Sequence, residues 1–333
     1  MKIYLAGDSI VQNYEKEEFI AGWGQFLPFF IKDGVEVVND AKGGRSSRLF
    51  INEGRFDNIE KNISAGDYLL IEFCHNDDAS KEYKTMFNRL TPLGEPDSDG
   101  RFPIIPGEAM PKDYIPPEYI DALRKDVNVK DKQAVLDSVY KILESYPHDT
   151  YYPYSADGSK GTYLWFLKQF VDMAREKGAV PVFVTAPART VYDANGNIKD
   201  GAGLHGGNNF AYIRAMKQLG EEAKVPVIDL FAYSCGLYKQ IGKEKIHWIT
   251  SIKKGCNKGI WPDDFNSEMQ KKETVSEDTH FNKYGAMLIT QGLVKLIKES
   301  DSSQLDGLKG MLKNPDGIDI EKYVKKPLVF EVF

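Results

Sequence analysis

Ser9 follows directly on an apolar run, in Ile3-Tyr4-Leu5-Ala6-Gly7-Asp8-Ser9. If that run is a strand, the hydroxyl stands at the mouth of a sheet. A serine becomes a nucleophile when a general base takes its proton, and a histidine base needs an acid to hold its tautomer. Both types occur far downstream, in Glu277-Asp278-Thr279-His280-Phe281-Asn282, read as a loop before a helix. A histidine three residues after a carboxylate can hydrogen-bond it within one turn. His280 would take the proton of Ser9 and return it to a leaving alcohol. These residue types predict cleavage of an acyl bond, although a His–carboxylate pair by itself is more often a structural contact.

Two more segments carry suitable groups. Asn39-Asp40-Ala41-Lys42-Gly43-Gly44-Arg45-Ser46-Ser47-Arg48 offers a glycine backbone that can approach a ligand and donate an N–H. The N–H of Gly44 and that of Ser9 could meet at one oxyanion. In Cys74-His75-Asn76-Asp77 the Asn76 amide offers two more donors, and His75 is expected to organise the loop. Taken singly, these segments read equally well as polar turns, and Asp8-Ser9 as a helix cap. His148 and His247 read as surface or packing residues. Gly201-Ala202-Gly203-Leu204-His205-Gly206 has dinucleotide-loop spacing, but it follows the polar stretch Asp193–Asp200 rather than a strand, so it is rejected. No Gly-x-Ser-x-Gly elbow occurs, which argues against an α/β-hydrolase.

The elements that must hold these residues are legible from periodicity. Five runs, Ile3–Ala6, Val35–Asn39, Tyr68–Phe73, Val180–Thr185 and Val227–Asp229, are nearly continuously apolar. That pattern belongs to strands buried on both faces of a parallel sheet. Helical patterns span Tyr163–Lys177, Phe210–Lys224 and Tyr284–Lys298. Their alternation predicts an open three-layer α/β/α sheet with helices on both faces. Right-handed crossovers then bring the strand C-terminal ends to one edge, where ligands bind, and Ser9 is expected to open a helix there. The stretch from about 78 to 160 breaks the rhythm. Seven of the 16 prolines lie between Pro92 and Pro117, and Ile120–Leu143 is moderately helical. We read it as an insertion in a single domain spanning 1–333, with a polar C-terminal extension from about 300 that ends in an apolar strap, Leu328–Phe333.

A net charge of −6 argues against nucleic acid or an anionic membrane as the main partner. No apolar run is long enough to span a bilayer. The three cysteines, Cys74, Cys235 and Cys256, form no metal or disulfide pattern, and Met1-Lys2 leads straight into a strand. The expectation is a cytoplasmic protein, although a chain trimmed of a secretory signal would read the same.

Four weak signals in this order are together strong. Ser9, Gly44, Asn76 and His280 match the four blocks of the SGNH (GDSL-type) hydrolases, which this chain resembles. The resemblance is closer still to rhamnogalacturonan acetylesterases, through Gly22-Trp23-Gly24-Gln25, Gly43-Gly44-Arg45-Ser46-Ser47-Arg48, Thr185-Ala186-Pro187-Ala188-Arg189 and Thr279-His280-Phe281-Asn282-Lys283-Tyr284-Gly285-Ala286. It implies a flavodoxin-like sheet and removal of acetyl groups from cell-wall sugars without metal or organic cofactor. It also implies an oxyanion hole of the Ser9 and Gly44 N–H groups and the Asn76 amide, and an acetylated oligosaccharide or polysaccharide as partner. The family places an Asp three residues before the histidine. Glu277 holds that position here and is taken as the triad acid, with Asp278 as the alternative. The insertion leaves the sugar open, and its Tyr151, Tyr152 and Tyr154 are candidates for stacking on sugar rings or for packing. The competing readings are a lipase or thioesterase of the same superfamily, and a carbohydrate-binding protein with a silent site.

Overall fold

The computed structural model describes residues 1–15, 20–78, 87, 89–199, 210–252 and 276–324, the side chains of 252 and 276–278 excepted. The five apolar runs form five parallel strands: β1 (Lys2–Gly7), β2 (Glu36–Asn39), β3 (Tyr68–Glu72), β4 (Val180–Val184) and β5 (Val227–Ile228). Their order in the sheet is β2-β1-β3-β4-β5. β1 pairs with β2 in the register Ile3↔Val37, and β3 with β4 in the register Leu70↔Val182. The α/β fold matches the expectation, and the reason is burial. β3 is buried at all five positions and β1 at five of six, so alternation would have no solvent face to serve. Among the described residues, no helix is long and apolar enough to cross a membrane.

The chain divides into two compact units. The first comprises Met1–Gly43, Val184–Lys199 and Ile228–Phe333. Its long helix, Lys283–Glu299, buries Ala286, Met287, Ile289, Leu293, Val294 and Ile297. The Thr290 hydroxyl on the same face donates to the Trp23 carbonyl at 2.8 Å. Gly285 lets this helix start against the chain. A Cβ there would lie 2.0 Å from the Ile249 carbonyl oxygen. Leu328–Phe333, the expected C-terminal strap, lies outside the described residues.

The second unit comprises Gly44–Phe183 and Asp200–Val227. The helix Tyr163–Glu176 buries Leu164, Leu167, Phe170, Val171 and Ala174, the face expected from its period. Phe170 meets Phe50, Phe56 and Phe73 ring to ring at 5.1–5.8 Å, and each fully buried ring is worth about 2–3 kcal/mol. The moderately helical part of the insertion resolves into two helices, Pro117–Lys125 and Lys132–Ser145. A short antiparallel ladder of Met110–Pro111 with Thr150–Tyr151 accompanies them. These elements have a core of their own, in which Tyr119, Leu123, Val139, Leu143, Tyr146 and Tyr151 pack with Leu49 and Phe87. Tyr151 is therefore a packing residue, with its hydroxyl donating to the Tyr114 carbonyl at 2.7 Å. Tyr152 sits edge-on to Trp165 and Phe166.

Arg48 joins the insertion to the rest of this unit. It is buried, and it donates to the carbonyls of Leu90 (2.9 and 3.1 Å), Phe87 (3.2 Å) and Tyr152 (2.8 Å). Burial lowers its pKa from the usual guanidinium value, and nearby tyrosines and Asp77 act in the opposite direction. The carbonyls of Leu90 and Phe87 need a donor once buried, so removing Arg48 strands them.

Gly285→Ala should lower the stability by about 2 kcal/mol or more, because a backbone oxygen cannot yield to the new methyl. Urea unfolding checks this, and an unchanged midpoint would contradict the packing described. Arg48→Met should cost about 3 kcal/mol through the stranded carbonyls. A loss under 1 kcal/mol in the same assay would show those bonds to be dispensable.

Candidate active site

In the first unit, Ser9 follows β1 on a sharp turn. The Asp8 carbonyl accepts from Val11 N (3.2 Å) and Gln12 N (3.1 Å), while Asp8 Oδ1 accepts from Ile10 N at 2.9 Å. The expected helix does not open here; the first helix is Trp23–Phe26. The reason lies in the next carbonyls. Ile10 O accepts from Trp23 N (2.7 Å) and Val11 O from Asn39 Nδ2 (2.7 Å), donors far along the chain in place of the N–H groups of a next helical turn. The turn ends after one cycle with the hydroxyl at its crest.

Gly22-Trp23-Gly24-Gln25 packs on this turn. A Cβ on Gly22 would lie 2.4 Å from the Gln12 carbonyl oxygen, and one on Gly24 2.4 Å from that of Val11. Trp23 is fully buried, and Gln25 Oε1 accepts from Tyr14 N (3.2 Å) while Gln25 Nε2 donates to Tyr14 O (3.3 Å). The Tyr14 hydroxyl donates to the Ser9 carbonyl at 3.0 Å. Gln12 Oε1 accepts from Gly43 N, fastening the segment after β2 to the same turn. The turn is fixed on every side, so the Ser9 Oγ is presented without a search of conformations.

His280 lies on a strand, Ser276–Phe281, rather than in the loop expected. That strand pairs antiparallel with Thr250–Ile252, and Ala21 N donates to Phe281 O at 2.9 Å. Asn282 closes the element: its Nδ2 donates to Trp248 O (2.9 Å) and Thr250 O (3.1 Å), and its Oδ1 caps the following helix at Gly285 N (2.9 Å). So held, His280 Nε2 meets Ser9 Oγ at 2.8 Å. With Nδ1 protonated, Nε2 is an acceptor and takes the hydroxyl hydrogen, the arrangement a nucleophile and its base require. Ser9 is only 8% exposed, so little water competes for its hydroxyl. The one-turn argument for Glu277 does not apply to an extended backbone. The side chains of Glu277 and Asp278 lie outside the described residues.

Gly44 and Asn76 both belong to the second unit. Gly44 has φ +81°, a left-handed conformation that disfavours any side chain. Ser46 caps the helix Ser47–Asn52 by accepting from Leu49 N at 3.1 Å. Asn76 is almost buried at the end of the chain segment leaving β3. Its neighbour Asp77 accepts from Ser47 N (3.0 and 3.2 Å) and Ser47 Oγ (2.6 Å). This buried, charge-assisted junction ties the Gly44 segment to the Asn76 segment inside one unit. Gln12, Asp77 and Arg48 are the positioning residues that motif reasoning missed. A carboxylate directly after Asn76 and a second arginine in Arg45-Ser46-Ser47-Arg48 were the available signals.

The remaining histidines divide as follows. His75 is buried, and His148 is exposed with Nε2 2.5 Å from Asp57 Oδ2. His247 lies against Trp248, and partial burial lowers its pKa. Gly201–Gly206, with His205, lies outside the described residues. Cys74 and Cys235 form no disulfide among the described residues, and Cys256 lies outside them.

A serine bonded to a histidine beyond the first strand of a parallel α/β sheet is the arrangement of an SGNH (GDSL-type) hydrolase, a carboxylic ester hydrolase. Sequence comparison narrows the class, and the chain belongs to the rhamnogalacturonan acetylesterase family. It is 30% identical over 300 residues to rhamnogalacturonan acetylesterase RhgT of Bacillus subtilis (strain 168), covering 90% of each chain. It is also 30% identical over 298 residues to the probable rhamnogalacturonan acetylesterase YesY of the same organism, 89% of this chain and 92% of that one. A rhamnogalacturonan acetylesterase of Emericella nidulans is 45% identical over 78 residues, 23% of this chain and 29% of its own. The solved structure of the YxiM protein of Bacillus subtilis shares the fold with a TM-score of 0.52 at 19% identity. That match covers 91% of this chain and 57% of the YxiM chain. No protein-family model matches the chain.

Ser9→Ala and His280→Gln should each lower kcat/KM on an aryl acetate by roughly 10³-fold or more, with the melting temperature kept. Turnover near the wild-type rate in either variant would remove that residue from the chemistry.

Proposed function

We propose that this esterase removes acetyl groups from acetylated rhamnogalacturonan oligosaccharides or polysaccharides. The observation that carries the reading is the 2.8 Å contact of His280 with Ser9, in a chain 30% identical to RhgT over 90% of its length. His280 Nε2 takes the Ser9 proton as Oγ attacks the acetyl carbonyl. The tetrahedral intermediate collapses to an acetyl-serine as the bond to the sugar oxygen breaks, and His280 H⁺ gives its proton to that oxygen, which leaves as a hydroxyl. Water, deprotonated by His280, then attacks the acetyl-serine, and acetate leaves with Ser9 reprotonated.

The oxyanion donors in this proposal are the N–H groups of Ser9 and Gly44 and the Asn76 amide, on the family pattern of the four blocks. Such donors matter because they meet charge that exists only in the transition state. The left-handed backbone of Gly44 and the Asp77–Ser47 junction support the assignment, since both restrict where those groups can go. Glu277 is the proposed acid on His280 Nδ1, with Asp278 as the alternative. The proposed site of action is cytoplasmic, or extracellular if a secretory signal has been removed from this chain.

The test is acetate release from acetylated rhamnogalacturonan, acetylated xylan and an aryl acetate by wild type and Ser9→Ala. Serine-dependent release favouring the pectic substrate is the expected result. Activity on the aryl acetate alone would point to a different ester, and steep preference for long acyl chains would point to a lipase or thioesterase. Glu277→Ala should lose about 10²–10⁴-fold in kcat, and more than Asp278→Ala. The reverse order, measured on the same substrate, would move the acid to Asp278.

A further inference from the structure

We propose that Arg89 forms an anion subsite beside Gly44 that recognises the carboxylate of a uronic acid residue in the substrate. The proposal concerns the second unit alone and rests on the pectic reading above. A Cβ built on Gly44 would lie 3.5 Å from Arg89 Nη2 and 3.8 Å from Cζ, so the guanidinium rests against this glycine's open side. The φ of +81° is what disfavours a side chain at Gly44, and the guanidinium lies at van der Waals distance from where its Cβ would be.

The position is built rather than incidental. Arg48 grips the carbonyls of Phe87 and Leu90, on either side of Arg89. Thr91 N donates to Asp77 O at 3.1 Å, and Thr91 O accepts from the buried Tyr212 hydroxyl. Pro92 O accepts from Tyr163 N at 2.8 Å. The backbone around Arg89 is thus tied at Phe87, Leu90, Thr91 and Pro92, while Arg89 itself is exposed.

The neighbouring charges are already engaged. Arg45 makes a two-point pair with Glu53 at 2.8 Å, and Glu53 also takes Arg55 at 3.0 Å. Asp77 is committed to Ser47. Among the described residues, Arg89 has no carboxylate within 4 Å. A guanidinium offers a planar fork that matches a carboxylate with two parallel hydrogen bonds. The chain carries a net charge of −6, so its long-range field does not favour an acidic polymer. Selection for a uronate must then come from a local cation, and Arg89 is placed to supply it.

The experiment measures inhibition of aryl acetate hydrolysis by unacetylated galacturonate oligosaccharide in wild type, Arg89→Gln and Arg89→Lys. It also measures the ratio of kcat/KM on acetylated rhamnogalacturonan to that on neutral acetylated xylan. The inhibition constant should rise about tenfold or more in Arg89→Gln and by less in Arg89→Lys, which keeps charge but loses the fork. The substrate ratio should fall in the same order, and both effects should shrink at high salt. An inhibition constant equal in wild type and Arg89→Gln, or no inhibition of wild type, overturns the subsite. Inhibition through Arg89 in an enzyme that does not deacetylate rhamnogalacturonan upholds the subsite and overturns the substrate. An unchanged substrate ratio in Arg89→Gln, with wild type favouring the pectic ester, does the reverse.

Discussion

The hydrogen bond between His280 Nε2 and Ser9 Oγ is the constraint on which the rest of the first unit depends. Its two partners are 271 residues apart in the chain, so nothing local brings them together. Each must be fixed separately, to within a fraction of an ångström. Ser9 is fixed by a one-cycle turn whose carbonyls are claimed by Trp23 and Asn39, and whose far side is closed by Tyr14 and Gln12. His280 is fixed by a strand ladder, by the Asn282 side chain and by a helix that starts at Gly285 against Ile249. The two supports meet at the Thr290 hydroxyl on Trp23 and at the Ala21–Phe281 bond. Removing side chains at Gly22, Gly24 and Gly285 is what lets these backbones approach so closely.

The second unit follows the same logic with charge in place of close backbone approach. Asp77 and Arg48 are both buried; Asp77 accepts from the Ser47 N–H and hydroxyl, and Arg48 donates to backbone carbonyls. A buried charge with several aligned hydrogen bonds specifies one arrangement, because any other leaves it unsatisfied. Asp77 thereby fixes the segment of Gly44 relative to that of Asn76, and Arg48 fixes the insertion. The insertion carries its own apolar core, so its prolines and glycines frame an ordered body within this unit.

Much of this was legible in the residues. The five strands read correctly because strands buried on both faces carry continuous apolar runs, such as Tyr68–Glu72. The helix Tyr163–Glu176 read correctly because its period of buried residues is unbroken. The pairing of Ser9 with His280 followed from residue chemistry at the ends of elements. What failed were local inferences that a distant partner overrides. Asp-Ser after a strand suits a helix cap, but Trp23 and Asn39 take the carbonyls a helix would need. Glu277–His280 read as a loop because its polar residues lack strand propensity, yet Thr250–Ile252 supplies a ladder. Arg48 and Asp77 were hidden for the opposite reason. Charged residues ordinarily signal surface, and only the tertiary structure shows the carbonyls and hydroxyl that make their burial favourable.

The central claim is that Ser9 is a nucleophile because His280 takes its proton. The most direct measurement is site mapping of a covalent organofluorophosphonate adduct by peptide mass spectrometry, in wild type and in His280→Gln. The account predicts a single adduct on Ser9 in wild type and a labelling rate lower by orders of magnitude when the base is gone. Labelling at another residue, or labelling of Ser9 at an undiminished rate in His280→Gln, would contradict it.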